Sequence, residues 1–370
     1  MGMTIKQADK DTIEIMLLMT ENCNLSCRYC YESHKSEKKM SLETAKGILD
    51  KEFDAIAGTE KKVVIQFFGG EPMLEFDTIR DVYNYIHSRS YPNYEYCFVV
   101  TNGTLFNEER KRWAYEHKED FICGLSLDGT KEIHDYNRCN SYDLIDFGFF
   151  AKTWPEQKVK MTVSPDMLGK LGDGVIHCHE LGFGVLCNLA DGLDWSLDSS
   201  ETLKQQLKRL AEYYIEHPEK DLCTMLKMPL LHIGLTKRDV FPKWCGAGEH
   251  IHAYGVDGNL FPCQLFMGIS GKNTKIPPIE NVYPVEVLPE KCRECILYGS
   301  CPTCIGTNAV RNYPPFYHTD VECRNIKIQF LATSFVMYEK YKRGHINLLP
   351  EEEYVLLRAI HMIQNEFADL

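Results

Sequence analysis

From the start of the chain to about Leu189, short apolar runs alternate with amphipathic stretches. The apolar run within 14–20 reads as a buried strand, and SLETAKGILDKEFDAI (41–56) as a helix with Ser41 as its cap. Residues 62–68, 96–100, 121–127, 158–164 and 183–189 read as five further strands. Helical periodicity falls between them, at 76–89, from about Asn107 to His117, around 141–153, and partly over 170–182. Continuous apolar strands separated by helices predict parallel βαβ units. Six such units point to an open, partial (β/α)6 barrel, whose chemistry belongs on the loops after the strand C-terminal ends. An amphipathic helix is expected at 196–217, then an irregular linker to about Lys243.

From Cys245 to Cys323 the pattern changes to seven cysteines, many Gly and Pro, and little helical periodicity. Such a segment builds only a small core and calls for metal staples. The tail reads as two helices. The expected organisation is a barrel over 12–218, a linker over 219–244, a cysteine-rich domain over 245–325 and C-terminal helices over 326–370.

Composition narrows the class. The chain has 370 residues, 44% hydrophobic and 25% charged, which suits a globular protein. No apolar run is long enough to cross a membrane, and residues 1–12 hold no signal-peptide core, so a cytoplasmic location is expected. Sixteen cysteines in such a chain argue for metal or redox chemistry over a disulfide framework. A net charge of −12 disfavours a nucleic-acid partner.

Cys23, Cys27 and Cys30 fall in the loop after the first strand as C-x3-C-x2-C. A structural zinc site is closed by four ligands, whereas three leave a position open. Thiolates are also the usual ligands of four-iron clusters. Gly69-Gly70-Glu71-Pro72 follows the second strand, Thr101-Asn102-Gly103 ends the third, and Ser126-Leu127-Asp128-Gly129 ends the fourth. With Tyr29 just before the last cysteine, and Ile133-His134 through Asn137-Arg138 downstream, this set resembles the radical S-adenosylmethionine (radical SAM) superfamily.

The resemblance implies a [4Fe–4S] cluster on Cys23, Cys27 and Cys30, whose open iron chelates S-adenosylmethionine. One electron then cleaves the cofactor to a 5′-deoxyadenosyl radical that abstracts a substrate hydrogen. It places Tyr29, Gly69, Gly70, Glu71, Asn102, Ser126, Asp128 and Arg138 at the cofactor. Glu71 or the neighbouring carbonyls would take the methionine amino group, and Arg138 the carboxylate, unless Arg138 forms a surface salt bridge instead.

The seven later cysteines resemble the SPASM extension of radical SAM enzymes, which binds two auxiliary four-iron clusters. By position, Cys245, Cys263 and Cys304 would hold the first, and Cys292, Cys295, Cys301 and Cys323 the second. The last C-x2-C spacing, Cys301 to Cys304, is one residue shorter than usual. No extra cysteine follows Cys245, so the first auxiliary cluster has three cysteine ligands, with His250 or His252 as candidates to close it. Zinc remains the alternative for C-x2-C pairs, although seven ligands do not divide into closed tetrahedral sites. Cys97, Cys123, Cys139, Cys178, Cys187 and Cys223 lie singly and read as small core residues.

An open auxiliary iron can bind a substrate thiolate. The branch therefore implies a maturase acting on a ribosomal precursor peptide and forming a thioether at cysteine, with ferredoxin or flavodoxin as electron donor. Anaerobic sulfatase maturation, a carbon–carbon crosslink, epimerisation and decarboxylation are the alternatives. Sulfatase-maturating relatives carry Asp where this chain has Gln264, and an amide is no base at neutral pH. An electron-transfer protein or a zinc-stabilised binding module would be the non-catalytic readings. The stretch ahead of Cys23 is too short for an N-terminal leader-recognition domain, so none is expected.

Overall fold

The computed structural model describes residues 11–235, 240–242, 245–270, 276, 279, 282–284 and 288–370. The first apolar run is strand β1 (Thr12–Thr20), buried continuously from Ile15. It is followed by α1 (Leu42–Ala55), β2 (Lys62–Gly69), α2 (Phe76–Arg89), β3 (Tyr94–Thr101), α3 (Glu108–Glu116), β4 (Phe121–Leu125) and α4 (Lys131–Asn137). Then come α5 (Phe147–Thr153), β5 (Lys158–Val163), α6 (Leu171–Glu180) and β6 (Gly184–Leu189). Side-chain caps set the helix starts: Ser41 Oγ accepts from Thr44 N at 3.0 Å, and Asn107 Oδ1 from Arg110 N at 3.0 Å.

One expected helix begins late. The stretch around 141–153 opens with a 3₁₀ turn at Tyr142–Leu144 and an extended Ile145, and Asp146 then caps α5. Residues Pro165–Lys170 are likewise 3₁₀ before α6. Proline at the first position suits that turn.

Strands β1 to β4 are sequential parallel neighbours. Ser126, just past β4, bridges in parallel to Lys160 of β5, and β5 pairs in parallel with β6. The result is the expected open wall of six parallel strands. Its outer face, for example Ile15, Leu17, Ile65, Val99 and Met161, packs on the helices as the main core.

After α7 (Leu197–Glu216) and α8 (Leu230–Leu235), β7 (Val240–Pro242) precedes the cysteine-rich segment. The end of the expected linker, 236–239 and 243–244, lies outside the described residues. Within that segment β8 (Ile251–Tyr254) pairs in parallel with β1, Glu14 opposite Ile251 and Leu17 opposite Tyr254. Strand β9 (Leu260–Phe261) adds antiparallel to β8, and β10 (Val282–Pro284) pairs with β7. The barrel edge at β1 is thus covered by a strand that the sequence reading left as loop, which removes a free edge. Glu52 of α1 anchors it, accepting from His252 Nδ1 at 2.8 Å and from the Tyr254 hydroxyl.

The helices α9 (Glu290–Arg293), α10 (Ile305–Val310), α11 (Asp320–Lys342) and α12 (Pro350–Glu366) complete the chain. A capping box of Thr319 and Glu322 starts α11, so the boundary expected at 325/326 falls inside this helix, and Cys323 sits in its first turn. Ser200 Oγ of α7 donates to Asn325 Oδ1 of α11 at 2.7 Å, tying the C-terminal helices to the barrel. No helix among the described residues is long and apolar enough to cross a membrane.

Inside the wall the two halves differ. Met16, Leu18 and Phe68 pack against Ala253, Met267 and Ile269 of the cysteine-rich segment, which plugs the β1–β2 side. On β5 and β6 the inward positions are Lys160, Thr162 and Asn188, and they line an open cavity. The barrel lumen is therefore polar and accessible where β5 and β6 face it.

Candidate active site

The cavity measures about 640 Å³ and is lined by Cys23, Cys27 and Cys30 together with Cys245 and Cys304. The first cysteines sit on a loop pinned at its base. Asn22 Oδ1 accepts from Cys23 N at 2.8 Å, and Cys30 N donates to Cys27 O at 3.2 Å.

The Gly69–Pro72 turn packs directly onto this loop. Gly70 N donates to Thr20 O at 3.1 Å, and Glu71 N to Asn22 O at 2.9 Å. A Cβ on Gly70 would lie 2.3 Å from Asn22 O and 2.9 Å from Cys23 Cβ, so glycine is required for the cysteine loop to approach. Glu71 is 1% exposed and spent on backbone order. Its oxygens accept from Met73 N at 3.0 Å, Thr101 Oγ1 at 2.8 Å and Asn102 N at 2.8 Å. Glu71 also lines the cavity, and with three of a carboxylate's roughly four acceptor sites used, both it and the carbonyls of the turn can take an amino group. Asn102 lines the cavity and donates from Nδ2 to Asn24 Oδ1 at 2.9 Å, again holding the cysteine loop. Ser126 lines the cavity as well.

Asp128 and Arg138 depart from expectation. Asp128 is fully buried and accepts from the Tyr29 hydroxyl at 2.5 Å, Asn137 Nδ2 at 3.2 Å and Thr162 N at 3.1 Å. Arg138 is ion-paired with it, Nη2 donating to Oδ1 at 3.2 Å and Nε standing 3.0 Å from Oδ2 without a hydrogen bond, and is itself 6% exposed. Asp128 is thus a hub joining the cysteine loop, α4 and β5 rather than a cavity group. Arg138 reaches the cavity in a buried ion pair, not in a surface one.

Burial pushes the Cys27 thiol up to about 11, and burial raises Cys23 and Cys30 too. A bound metal would deprotonate them outright. Among the described residues no three His, Cys, Asp or Glu side chains could hold a single metal ion. Ligands spread around a cavity suit a polynuclear cluster, which fits the donor set of three thiols and a cradle of glycines.

The later cysteines fall into two groups. Burial pushes the Cys263 thiol up to about 12, and Cys304 and Cys245 are the thiols that add to this. Cys292, Cys295, Cys301 and Cys323 together line a second cavity of about 240 Å³. His318 stands in the wall between the two cavities, with Nε2 3.0 Å from Thr303 Oγ1 and 3.7 Å from Cys301 Sγ. Neither His250 nor His252 lines the large cavity: His252 is bound to Glu52, whereas His250 stays next to Cys245, its N donating to Gly246 O at 2.8 Å and its ring 3.3 Å from Glu249. Five of the six single cysteines are core residues as expected, but Cys139 is exposed, at φ +58, and donates to Ser26 O at 3.1 Å.

Other cavity groups went unnoticed in the sequence. Burial pushes the Glu32 carboxyl up to about 8, with Lys35 and Lys160 opposing. Burial likewise raises Asp191, which follows β6. The signal for Lys160 was the alternation in KVKMTV, which turns a polar position inward. Asp191 stands where a barrel loop carries chemistry.

Residues 17–144 match the sequence profile of the radical SAM superfamily. The chain is 36% identical over 132 residues to a cysteine-type anaerobic sulfatase-maturating enzyme of Clostridium novyi, covering 33% of this chain and 34% of that enzyme. It is 25% identical to the antilisterial bacteriocin subtilosin biosynthesis protein AlbA of Bacillus subtilis, covering 67% of this chain and 54% of AlbA. The chain spans between 29% and 41% of the length of the first curated relatives that it matches. Its fold is that of native anSMEcpe with bound AdoMet and Cp18Cys peptide, with a TM-score of 0.63 at 19% identity over 96% of this chain and 99% of that one. Residues 17–144, which carry the three-cysteine loop and the Gly69–Pro72 turn, thus form a radical SAM domain, and that family implies S-adenosylmethionine and a [4Fe–4S] cluster.

Proposed function

We propose that the protein is a radical SAM maturase that modifies a precursor peptide at cysteine, installing a thioether crosslink. The observation that carries this reading is that Cys23, Cys27 and Cys30 line the same cavity as Cys245 and Cys304. A peptide within it would lie between a site that starts radical chemistry and a site that holds sulfur.

Cys23, Cys27 and Cys30 would hold the radical SAM cluster; bound there with S-adenosylmethionine, it supplies one-electron cleavage to a 5′-deoxyadenosyl radical. Cys245, Cys263 and Cys304 would hold one auxiliary [4Fe–4S] cluster, leaving one ligand position to be filled from the cavity. Cys292, Cys295, Cys301 and Cys323 would close a second with four ligands. The chain's own residues fix the geometry: the turn at Gly70 seats the first loop, and β8 docks the second array against β1. The substrate class draws support from similarity to AlbA, a bacteriocin biosynthesis protein, and to sulfatase-maturating enzymes. A ferredoxin or flavodoxin in the cytoplasm would supply the electron.

Sulfatase maturation is the second reading. It asks for a base beside the substrate. Gln264 lines the cavity and is no base, but the carboxylates Asp191 and Glu32 line it too and support this reading.

The test is coexpression with small cysteine-containing peptides encoded nearby. A thioether removes one H2 in mass per crosslink and one alkylatable thiol. A mass loss with every thiol still free would defeat the thioether, and conversion of a sulfatase peptide to formylglycine would establish the alternative.

A further inference from the structure

Three side-chain amides of the C-terminal helices line the large cavity with one end tied and the other left over. Asn325 of α11 and Asn308 of α10 are only 3% and 4% exposed. Asn325 Oδ1 accepts from Ser200 Oγ of α7 at 2.7 Å, which fixes the amide and leaves Nδ2 without a partner among the described residues. Asn308 is held the opposite way round: its Nδ2 donates to Pro315 O at 2.9 Å, which leaves Oδ1. Gln329 lies one turn beyond Asn325 on the same face of α11. It donates from Nε2 to Asn325 O at 3.3 Å and likewise keeps its oxygen.

A side-chain amide carries two donors on nitrogen and an oxygen that accepts, and a group left unmet in a protein interior costs stability. What these three leave open is one donor and two acceptors, all neutral. A carboxylate would leave both acceptors unmet, and an ammonium would leave the donor. A peptide backbone satisfies all three, because each residue brings one N–H and one C=O. The charged neighbours do not compete, since Arg311 and Glu322 are paired with each other. The place also suits a substrate. Asn308 N donates to Cys304 O at 3.1 Å, so the amides are held beside the array that would hold the substrate's sulfur.

We propose that Asn325, Asn308 and Gln329 form a clamp for the main chain of the substrate peptide. Asn325 donates to one backbone carbonyl, and Asn308 and Gln329 accept from backbone N–H groups. The clamp rests on the peptide-maturase reading and extends it. It holds the chain beside Cys304 without reading the side chains that flank the modified residue.

The experiment measures peptide binding to the reconstituted holoenzyme by equilibrium dialysis with S-adenosylmethionine present, and binding of S-adenosylmethionine alongside. The probes are a cysteine peptide encoded nearby, a cysteine peptide from a sulfatase, and forms of each with one backbone N-methyl group at successive positions. N-methylation removes one N–H and leaves the side chains and carbonyls in place. In wild type, methylation at one or two positions should weaken binding by roughly 2- to 10-fold. Gln329→Met should weaken the parent peptide by a similar factor, and methylation at one of those positions should then cost nothing more. Asn325→Asp keeps the acceptor for Ser200 and loses the donor, so it should weaken every form alike. If wild type binds every methylated form as tightly as the parent, the clamp is wrong. It is equally wrong if the Q329M loss adds to the methylation loss at every position. A Q329M loss as large for S-adenosylmethionine as for peptide would put the amides at the cofactor and overturn the proposal too. Iron content and circular dichroism matching wild type certify the fold, and Gln329→Leu takes the place of Q329M if that variant is unstable. Peptides that bind with the expected pattern but leave unmodified would defeat the proposed function and sustain the clamp. A wild type that binds neither peptide would overturn the clamp itself.

Discussion

At the scale of single residues, Asp128 is the group on which the site most depends without reaching it. It accepts from the hydroxyl of Tyr29, between two candidate cluster ligands, and neutralises Arg138 in a space with almost no solvent. Removing one partner of a buried pair leaves the other charge uncompensated, which costs far more than the pair is worth. We expect Asp128→Asn to lower stability by about 3–5 kcal/mol in urea unfolding. Arg138→Met should also destabilise, and the double variant should lose less than the sum, with a coupling of about 0.5–3 kcal/mol. Strict additivity of the two would show that the charges do not depend on each other. Asp128 was legible in the sequence as a site residue, because its strand-end position is visible. Its burial was not, because that depends on where α4 and β5 fold over it.

At the scale of elements, the six barrel strands were legible to within a residue or two. A parallel strand covered on both faces writes itself as an unbroken apolar run, as in β1 and β2. Strand β8 was not legible. Its sequence, IHAY, is too short to show a period, and its partner β1 is remote along the chain, Glu14 standing opposite Ile251. The Gly69–Gly70 turn was legible as a feature, but its physical reason was not: the glycines are needed for contact between two loops as much as for contact with a cofactor. Gly70→Ala tests this. Its methyl would meet the Asn22 carbonyl at 2.3 Å, so the cysteine loop must shift. The expected result is a folded protein by circular dichroism that loses about four irons and its S-adenosylmethionine cleavage. Full iron loading with wild-type cleavage would mean the loop tolerates the displacement.

At the scale of the whole molecule, what matters is that two sets of cysteines, one ending at Cys30 and the other starting at Cys245, open onto one cavity. The docking of β8 on β1 and the return of α11 over the barrel achieve this, and neither follows from local pattern. With three four-iron clusters the holoenzyme should carry about twelve irons and little zinc, measurable by elemental analysis. The two sets of cysteines should then separate by function. Replacing Cys23, Cys27 and Cys30 with Ala should abolish deoxyadenosine formation and remove about four irons. Replacing Cys245, Cys263 and Cys304 with Ala should also remove about four irons, yet leave deoxyadenosine formation in place, because the first loop is seated by the Gly70 turn and Asn102 rather than by the second array. Crosslinked peptide should disappear in that second variant, since the array that would hold the substrate's sulfur is gone. Retained circular dichroism and retained cofactor cleavage guard against reading misfolding as loss of function. If crosslinking survives the loss of Cys245, Cys263 and Cys304 while the irons fall as expected, the sulfur-holding role of that array is wrong, and the cavity serves a reaction that needs the first cluster alone.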